Sequence, residues 1–518
     1  MKYYNYFISI LGLTFLSIVL LSCSNDSVVT NSDYLNSPLN EVSWTPTGGG
    51  DPDGGATAPC RSTGLSTACP GTNGDPNTGG ELQLTSGKTC LWASAGRRQT
   101  LWIKEDSLND PNKKMYTRGY NSHGQLMANP LYYDNIIAPS MQSDLPWPEG
   151  EVPIMVSSHR KHTCLQFNKT GQVRCYGGDT DTARFLGNKP GMLLDGTQEY
   201  QSLKVTTGTH HTAILLRDGR ISMFGDSNWG QTGTGEAYVD GQGFPNNTSR
   251  ITYVKAKDSA GNITEPTDWI DVGSAQFHAC GIRGAANEGG DVYCWGRNSA
   301  GGTGNKNYTI ETISDEDSNG HYVFSDLPNM ANLSFAMKVE GIEKAVAVDG
   351  GLAHTCALQK NGLVKCLGDN SYGQLGDNTT HGDFVLTDPT VPVIVIKEDG
   401  SPLVARAITV GEQTSCAIDV NDNLLCWGRN LHGVQGHGDN NPRKVATPVP
   451  NGDNVKQASI TWHHLAWLKN DGTVWSSGQN SNRQIHDGSL DDVRTPQQIF
   501  TSFYTTAREH VLMRVHNW

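Results

Sequence analysis

One pattern recurs along most of this chain, and a chain that repeats itself has to bury each copy against its neighbours. The fullest copy runs Gly351-Leu352-Ala353-His354-Thr355-Cys356-Ala357-Leu358, turns at Asn361-Gly362, and continues Val364-Lys365-Cys366-Leu367-Gly368-Asp369-Asn370-Ser371-Tyr372-Gly373-Gln374-Leu375-Gly376. Each copy reads as a β-hairpin followed by a glycine-rich turn. A lone hairpin is marginal in water, so the copies must stack. Glycine is abundant, at 59 residues, and only 36% of the chain is hydrophobic. Short valine, isoleucine and tyrosine segments between many turns predict an all-β protein.

Further copies begin at His162-Thr163-Cys164, His211-Thr212-Ala213, Phe277-His278-Ala279-Cys280, Thr414-Ser415-Cys416-Ala417 and His464-Leu465-Ala466. They end in turns such as Tyr293-Cys294-Trp295-Gly296-Arg297-Asn298 and Cys426-Trp427-Gly428-Arg429-Asn430. A worn first copy spans Lys88-Thr89-Cys90 to Gly124-Gln125-Leu126. This pattern resembles the regulator of chromosome condensation repeat family. The resemblance implies a seven-bladed β-propeller of four-stranded blades over residues 82–518. Stacking blades radially buries both faces of each sheet and leaves only short edges. A spare start, Thr505-Thr506-Ala507-Arg508-Glu509-His510-Val511-Leu512, predicts that C-terminal strands close the ring by completing the N-terminal blade.

Residues 1–22 predict a lipoprotein signal peptide. Lys2 supplies a short positive region, Phe7 to Leu21 an apolar run too short to span a bilayer comfortably, and Leu20-Leu21-Ser22-Cys23 resembles a bacterial lipobox. Cleavage before Cys23 would leave that cysteine to carry the acyl chains, palmitate among them, that anchor the protein. Ser24 follows rather than an aspartate, which points to the outer membrane, facing the periplasm or the surface. Residues 23–81, rich in Gly, Asp, Thr, Ser, Asn and Pro, predict a disordered tether.

There are twelve cysteines. Beyond Cys23, four pairs recur at fixed places in the copies: Cys164/Cys175, Cys280/Cys294, Cys356/Cys366 and Cys416/Cys426. Copies lacking them carry Ala213/Met223 and Ala466/Ser476 at those places, so both cysteines disappear together. Paired loss, register across a hairpin and an oxidising compartment predict disulfides. Zinc is the competing reading, and no C-x-x-C pair supports it. Cys60, Cys69 and Cys90 are unassigned, although Cys60 and Cys69 could close a small loop.

Candidate chemistry is sparse. Gly225-Asp226-Ser227-Asn228 looks like a serine-esterase block, but it occupies the slot of Gly368-Asp369-Asn370-Ser371, and no Asp-x-x-His block follows to complete a triad. The recurrent histidines His162, His211, His278, His354 and His464 read as structural rings satisfying turn backbone groups. Asp315, Asp317, Asn319 and Asp326 fit positions 1, 3, 5 and 12 of a calcium loop, with Gly320 at the turn; Ca²⁺ is the one cofactor the sequence suggests. The slot before the glycine of the Gly-Gln-Leu-Gly turn varies. It holds His123, Trp229, Ala300, Tyr372, His432 and Asn482. Two readings of its rings stand: anchors for a partner surface, or packing between neighbouring blades.

The formal net charge of −13 lacks the basic face that nucleic acid requires. The expected function is a surface-anchored, monomeric, non-enzymatic lipoprotein. It touches the membrane through its lipid alone, and its propeller binds an unidentified protein on the cell surface or in the envelope. Because the resemblance extends to a secreted propeller that inhibits β-lactamases, an inhibitor of an exported enzyme is the more specific form. The alternative is a carbohydrate-binding or hydrolytic enzyme using the channel or the insertions; it requires converging carboxylates or a nucleophile–base pair, and a clustered acidic pair at a channel mouth would favour it.

Overall fold

The computed structural model describes residues 62–63, 66–67, 92–103, 115–121, 124–126, 136–141, 153–160, 162–167, 171–177, 191–194, 201–225, 227, 229–235, 252–306, 313–316, 322–324, 333–380, 388–485 and 489–499. The chain divides into two compact units, 1–54 and 55–518, and every described residue lies in the second.

The repeat pattern becomes a four-stranded antiparallel unit in which each strand bonds to the next in sequence. In the 405–448 unit the strands are Ala405–Val410, Thr414–Asp419, Leu424–Gly428 and Arg443–Pro448. The same arrangement recurs over 92–141, 153–194, 202–253, 269–338, 345–394 and 455–499. The glycine ending each third strand is obligatory. Gly296, Gly368, Gly428 and Gly478 all have φ between 94° and 112°, and a Cβ on Gly428 would collide with the Gln413 carbonyl.

Strand pairing departs from the expectation of separate, uniform blades. Four four-stranded sheets stand alone. The 269–338 and 345–394 units fuse into a ten-stranded sheet through the Gly290–Ala345 pair, which also takes in Ala256–Lys257 and Ile263–Thr264. Within the expected tether, Ser62–Thr63 and Ser66–Thr67 form a hairpin, and Thr63 pairs parallel with Ile408, making the 405–448 sheet six-stranded. Residues 500–518, including the spare start, lie outside the described residues. The 92–141 unit already holds four strands of its own, so closure by C-terminal strands is not required.

Side chains on the innermost strands link the units around the ring. Ser94 Oγ accepts the Ser158 amide (3.1 Å) and Ser157 Oγ the Thr207 amide (3.0 Å), while Thr206 and Ser274 hydroxyls bond at 2.6 Å. Asp271 accepts the Val348 amide (3.1 Å), Asp349 the Val410 amide (2.9 Å) and Thr409 Oγ1 the Ile460 amide (3.3 Å). Ser459 Oγ then accepts the Ala95 amide at 3.1 Å, returning the belt to its start. Lys204 and Asp271, both buried, add an ion pair at 2.8 Å. The apolar core lies between successive sheets. Leu101 to Ile214 form one cluster, and the Trp295 and Trp427 indoles reach into the preceding unit to donate to the Gln231 and Gln374 carbonyls at 2.8 and 2.9 Å. Such a closed ring of stacked, twisted sheets is a β-propeller.

Candidate functional site

First and third strands of each unit run in the same direction. The turn after the first strand and the long loop after the third therefore share one face. Each loop is fixed by its own repeat residues. Asn370 Oδ1 accepts the Leu375 amide at 3.0 Å, Asn430 the Gln435 amide at 2.8 Å and Asn480 the Ile485 amide at 2.9 Å. Glutamine holds the variable slot from the other side: Gln231 Oε1 accepts the Trp229 amide (2.7 Å) and Gln374 Oε1 the Tyr372 amide (2.8 Å). The slot's backbone is thus clamped at Trp229 and Tyr372 while the repeat leaves its side chain free to vary between copies.

Trp229, Tyr372 and His432 are half-buried on this face; His123 lies outside the described residues. Each ring meets the next unit. Arg297 stacks over Trp229 at 4.7 Å and Arg429 over Tyr372 at 4.8 Å. His432, at φ 60°, bonds Asp492 at 2.8 Å and lies 5.0 Å from the His463 ring. Inter-blade packing is therefore present at this slot, and it leaves part of each ring at the surface.

The first-strand turns surround the axis. There Arg97 stacks on Trp462, 3.0 Å from the ring centre. A pocket of about 340 Å³, counted with its open mouth, is lined by His159, Gln276, Asp349, Glu412 and Thr461 among others. Asp349 and Glu412 are the two carboxylates of that lining. Burial pushes Asp349 up to about 7, against the opposing pull of the Val410 and Gly350 amides it accepts. Its carboxylate is therefore committed to the belt between two strands rather than to a substrate.

The recurrent histidines are buried. Burial lowers His211 and His354 to about 3, and His278 and His464 to about 4. Beside backbone contacts of the expected kind, with Gln99 at His464 and with His278 at His211, hydroxyls are partners. Nε2 of His162 bonds Thr212 (3.1 Å), His278 bonds Thr355 (2.9 Å), His354 bonds Ser415 (2.9 Å) and His464 bonds Thr100 (3.0 Å). Each is a hydroxyl of the following unit, with the last returning to the first. Where Thr414 replaces the histidine, Leu465 stands at the hydroxyl position of the next unit.

The four pairs Cys164–Cys175, Cys280–Cys294, Cys356–Cys366 and Cys416–Cys426 are disulfides joining facing residues of the second and third strands. Cys23, Cys60, Cys69 and Cys90 lie outside the described residues. So do Asp317, Asn319 and Asp326. Asp315 belongs to the Ile313–Glu316 strand, which pairs with Tyr322–Phe324, so a hairpin occupies the first part of the calcium pattern. Among the described residues, no group of three or more His, Cys, Asp or Glu side chains is placed to hold a metal ion. Ser227, of the esterase-like block, is buried and bonds Thr232 within its own loop at 2.6 Å.

Fold and site together define a β-propeller whose repeat residues build the scaffold and whose loops carry the variation. The regulator of chromosome condensation (RCC1) repeat matches residues 345–374 and 405–434. The ultraviolet-B receptor UVR8 of Arabidopsis thaliana is 23% identical over 300 residues, 57% of this chain and 58% of that one. The chain spans no more than 58% of the length of the first curated relatives it matches. The crystal structure of human WBSCR16 superposes with a TM-score of 0.56 at 17% identity, covering 75% of this chain and 94% of that one. Yeast RCC1 (Prp20), in its crystal structure bound to Kap60, gives 0.55 at 15% identity, covering 81% and 91%. This chain therefore carries regulator of chromosome condensation repeats at residues 345–374 and 405–434 and is similar to proteins of that family.

Proposed function

We propose that this protein is an exported, lipid-anchored binding module. Its seven four-stranded units are the blades of one ring, and its loop face engages a protein partner in the cell envelope. The observation that carries this reading is the clamped, variable slot. Asparagine and glutamine fix the loop backbone, an arginine of the next unit holds the Trp229 or Tyr372 ring over one face, and the rest of each ring stays at the surface. Rings held rigid before binding lose little entropy on association, and aromatic and arginine side chains dominate interface energies. The yeast relative is titled as a complex with Kap60, which supports protein binding as a use of this fold; its partner is not carried over. Paired cysteines in the blades favour an oxidising compartment, and the apolar run ending at Cys23 favours lipidation there.

The test is capture of envelope proteins by the immobilised chain, run beside a Trp229→Ala/Tyr372→Ala variant that retains its circular dichroism spectrum. The reading expects a defined protein retained by the native chain and reduced at least roughly tenfold by the variant, as loss of two interface anchors implies. Equal retention by both chains would move the binding site off this face. Retention of glycan instead of protein would favour the carbohydrate reading.

A further inference from the structure

A second register varies between copies, and it surrounds the propeller axis. Two residues before each recurrent histidine position stand Arg97, Arg160, Thr209, Gln276, Leu352, Glu412 and Trp462. All are more than nine-tenths buried. Their main chain ties unit to unit. The Thr209, Gln276, Leu352 and Glu412 amides donate to the Gln276, Gly351, Glu412 and Thr461 carbonyls at 3.3, 3.1, 2.8 and 2.9 Å. The Arg97 amide donates to the His159 carbonyl at 3.2 Å, and Thr461 Oγ1 to the Gly96 carbonyl at 2.6 Å. The turns are thus held by main-chain groups, and the side chains at this register are left to vary.

The pocket at these turns contains two polar atoms with no hydrogen-bond partner among the described residues, Gln276 Oε1 and His159 Nδ1. Gln276 is 4% exposed and His159 is 9% exposed. A buried polar atom without a partner is costly, and in a pocket it marks where a ligand group would bond. Gln276 Oε1 can only accept. Burial lowers the His159 ring well below its ordinary value, so the ring brings no positive charge at neutral pH. Asp349 and Glu412 add carboxylates to the same lining, and no Lys or Arg stands among its described residues. Glu412 Oε2 lies 3.7 Å from His463 Nε2, a ring that burial also lowers well below its ordinary value. The lining is therefore negative and rich in acceptors. Its complement is a compact cation with several N–H donors. An ammonium offers three such donors on a narrow stem, whereas a guanidinium is a planar fork.

We infer that this axial mouth takes a primary ammonium group, and that a lysine side chain of the protein partner supplies it. The mouth opens on the face that carries Trp229, Tyr372 and His432, so a partner seated on those rings spans the axis. A lysine there buries its methylene stem against the turns and sets its charged end among the acceptors below. The ammonium site stands on the pocket alone. The lysine as its source rests on the binding-module reading.

The site is tested by titrating n-butylammonium chloride into the full chain, followed by saturation-transfer NMR and calorimetry, with n-butanol as the uncharged control. Butylammonium should bind and butanol should bind at least roughly tenfold more weakly, as loss of charge-assisted hydrogen bonds implies. Glu412→Gln and Gln276→Leu, each checked for a native circular dichroism spectrum, should each weaken butylammonium binding, Glu412→Gln by at least roughly tenfold. Failure of butylammonium to bind the folded native chain overturns the site. Equal binding of butanol overturns its charge, and unchanged binding in both variants overturns its place. The source is tested separately. The protein retained in the capture experiment is acetylated on its lysines, which removes their charge, and offered again. Lost retention supports the lysine, and equal retention overturns it. Butylammonium binding without any captured protein would keep the ammonium site and remove the binding-module reading instead.

Discussion

The blades fall into two kinds, and the difference lies at one register position. Four join their second and third strands with a disulfide. The other units place Leu101 opposite Thr117, Ala213 opposite Met223 and Ala466 opposite Ser476 at that position. One step further along the same strands, the 92–141 and 455–499 units carry stacked rings: Trp102 on Tyr116 at 5.7 Å and Trp467 on Trp475 at 6.5 Å. The disulfide units have Ala357 facing Lys365 and Ala417 facing Leu425 there. One kind of blade is held by restricting its unfolded chain. Two of the others, the 92–141 and 455–499 units, are held by apolar area and ring contact in the folded state; the 202–253 unit, with Ile214 opposite Ser222 there, has neither a disulfide nor a ring pair. The ring-held blades are also the two that meet at the ring's junction, where Ala93, Trp102 and Tyr116 pack with Leu468, Val474 and Ile499.

The comparison can be broken at its strongest point first. Trp467 is fully buried, and Trp467→Ala should destabilise the protein by about 3–5 kcal/mol, as for other buried tryptophans; denaturant unfolding measures it. Cys356→Ala/Cys366→Ala should cost less, about 2–4 kcal/mol, and the cost should vanish when native and variant chains are compared in reductant. His354→Ala leaves the buried Ser415 hydroxyl without its ring partner and should cost about 1–3 kcal/mol. The same change at His211, for which the next unit has Ala279 at the hydroxyl position, should cost less.

Acidity acts on both kinds of blade. A buried histidine whose folded pKa lies below its unfolded value near 6.5 binds fewer protons folded than unfolded, so stability rises with pH between the two values. For His211, His278, His354 and His464 the window runs from about 3 or 4 up to 6.5. Asp349, raised to about 7, acts oppositely between 3.8 and that value. The histidines outnumber it, so thermal midpoints should fall as pH drops from 6.5 toward 4. In His354→Ala the fall should be shallower.

Much of this was legible in the sequence because a repeat compares a chain with itself. Paired loss of cysteines at Ala213/Met223 and Ala466/Ser476 identified the disulfides, and the repeat's resemblance to a known family implied the propeller, with which the alternation of hairpins and glycine turns agrees. Contacts between blades were not legible. The hydroxyl partner of His354 is Ser415, and that of His464 is Thr100 from the opposite end of the chain; no periodicity within one copy points to either. The belt through Ser94, Ser157, Asp349 and Ser459 was equally hidden, since each of these side chains bonds an amide of the next copy rather than a group of its own. The slot rings were recognised as unusual, while the arginines that hold them, Arg297 and Arg429, sit in the next copy. A cue was available: both follow the glycine that ends a third strand.

The most direct test of the account installs the missing staple. Ala466→Cys/Ser476→Cys places cysteines at the facing pair of a ring-held blade, in the register the disulfide blades use. Under oxidising conditions the account predicts a fifth blade disulfide, no free thiol at either position, and a gain of about 2–3 kcal/mol that reductant abolishes. Thiols that stay titratable in the folded variant, or a disulfide that lowers the unfolding midpoint, would contradict the claim that the two kinds of blade share one register.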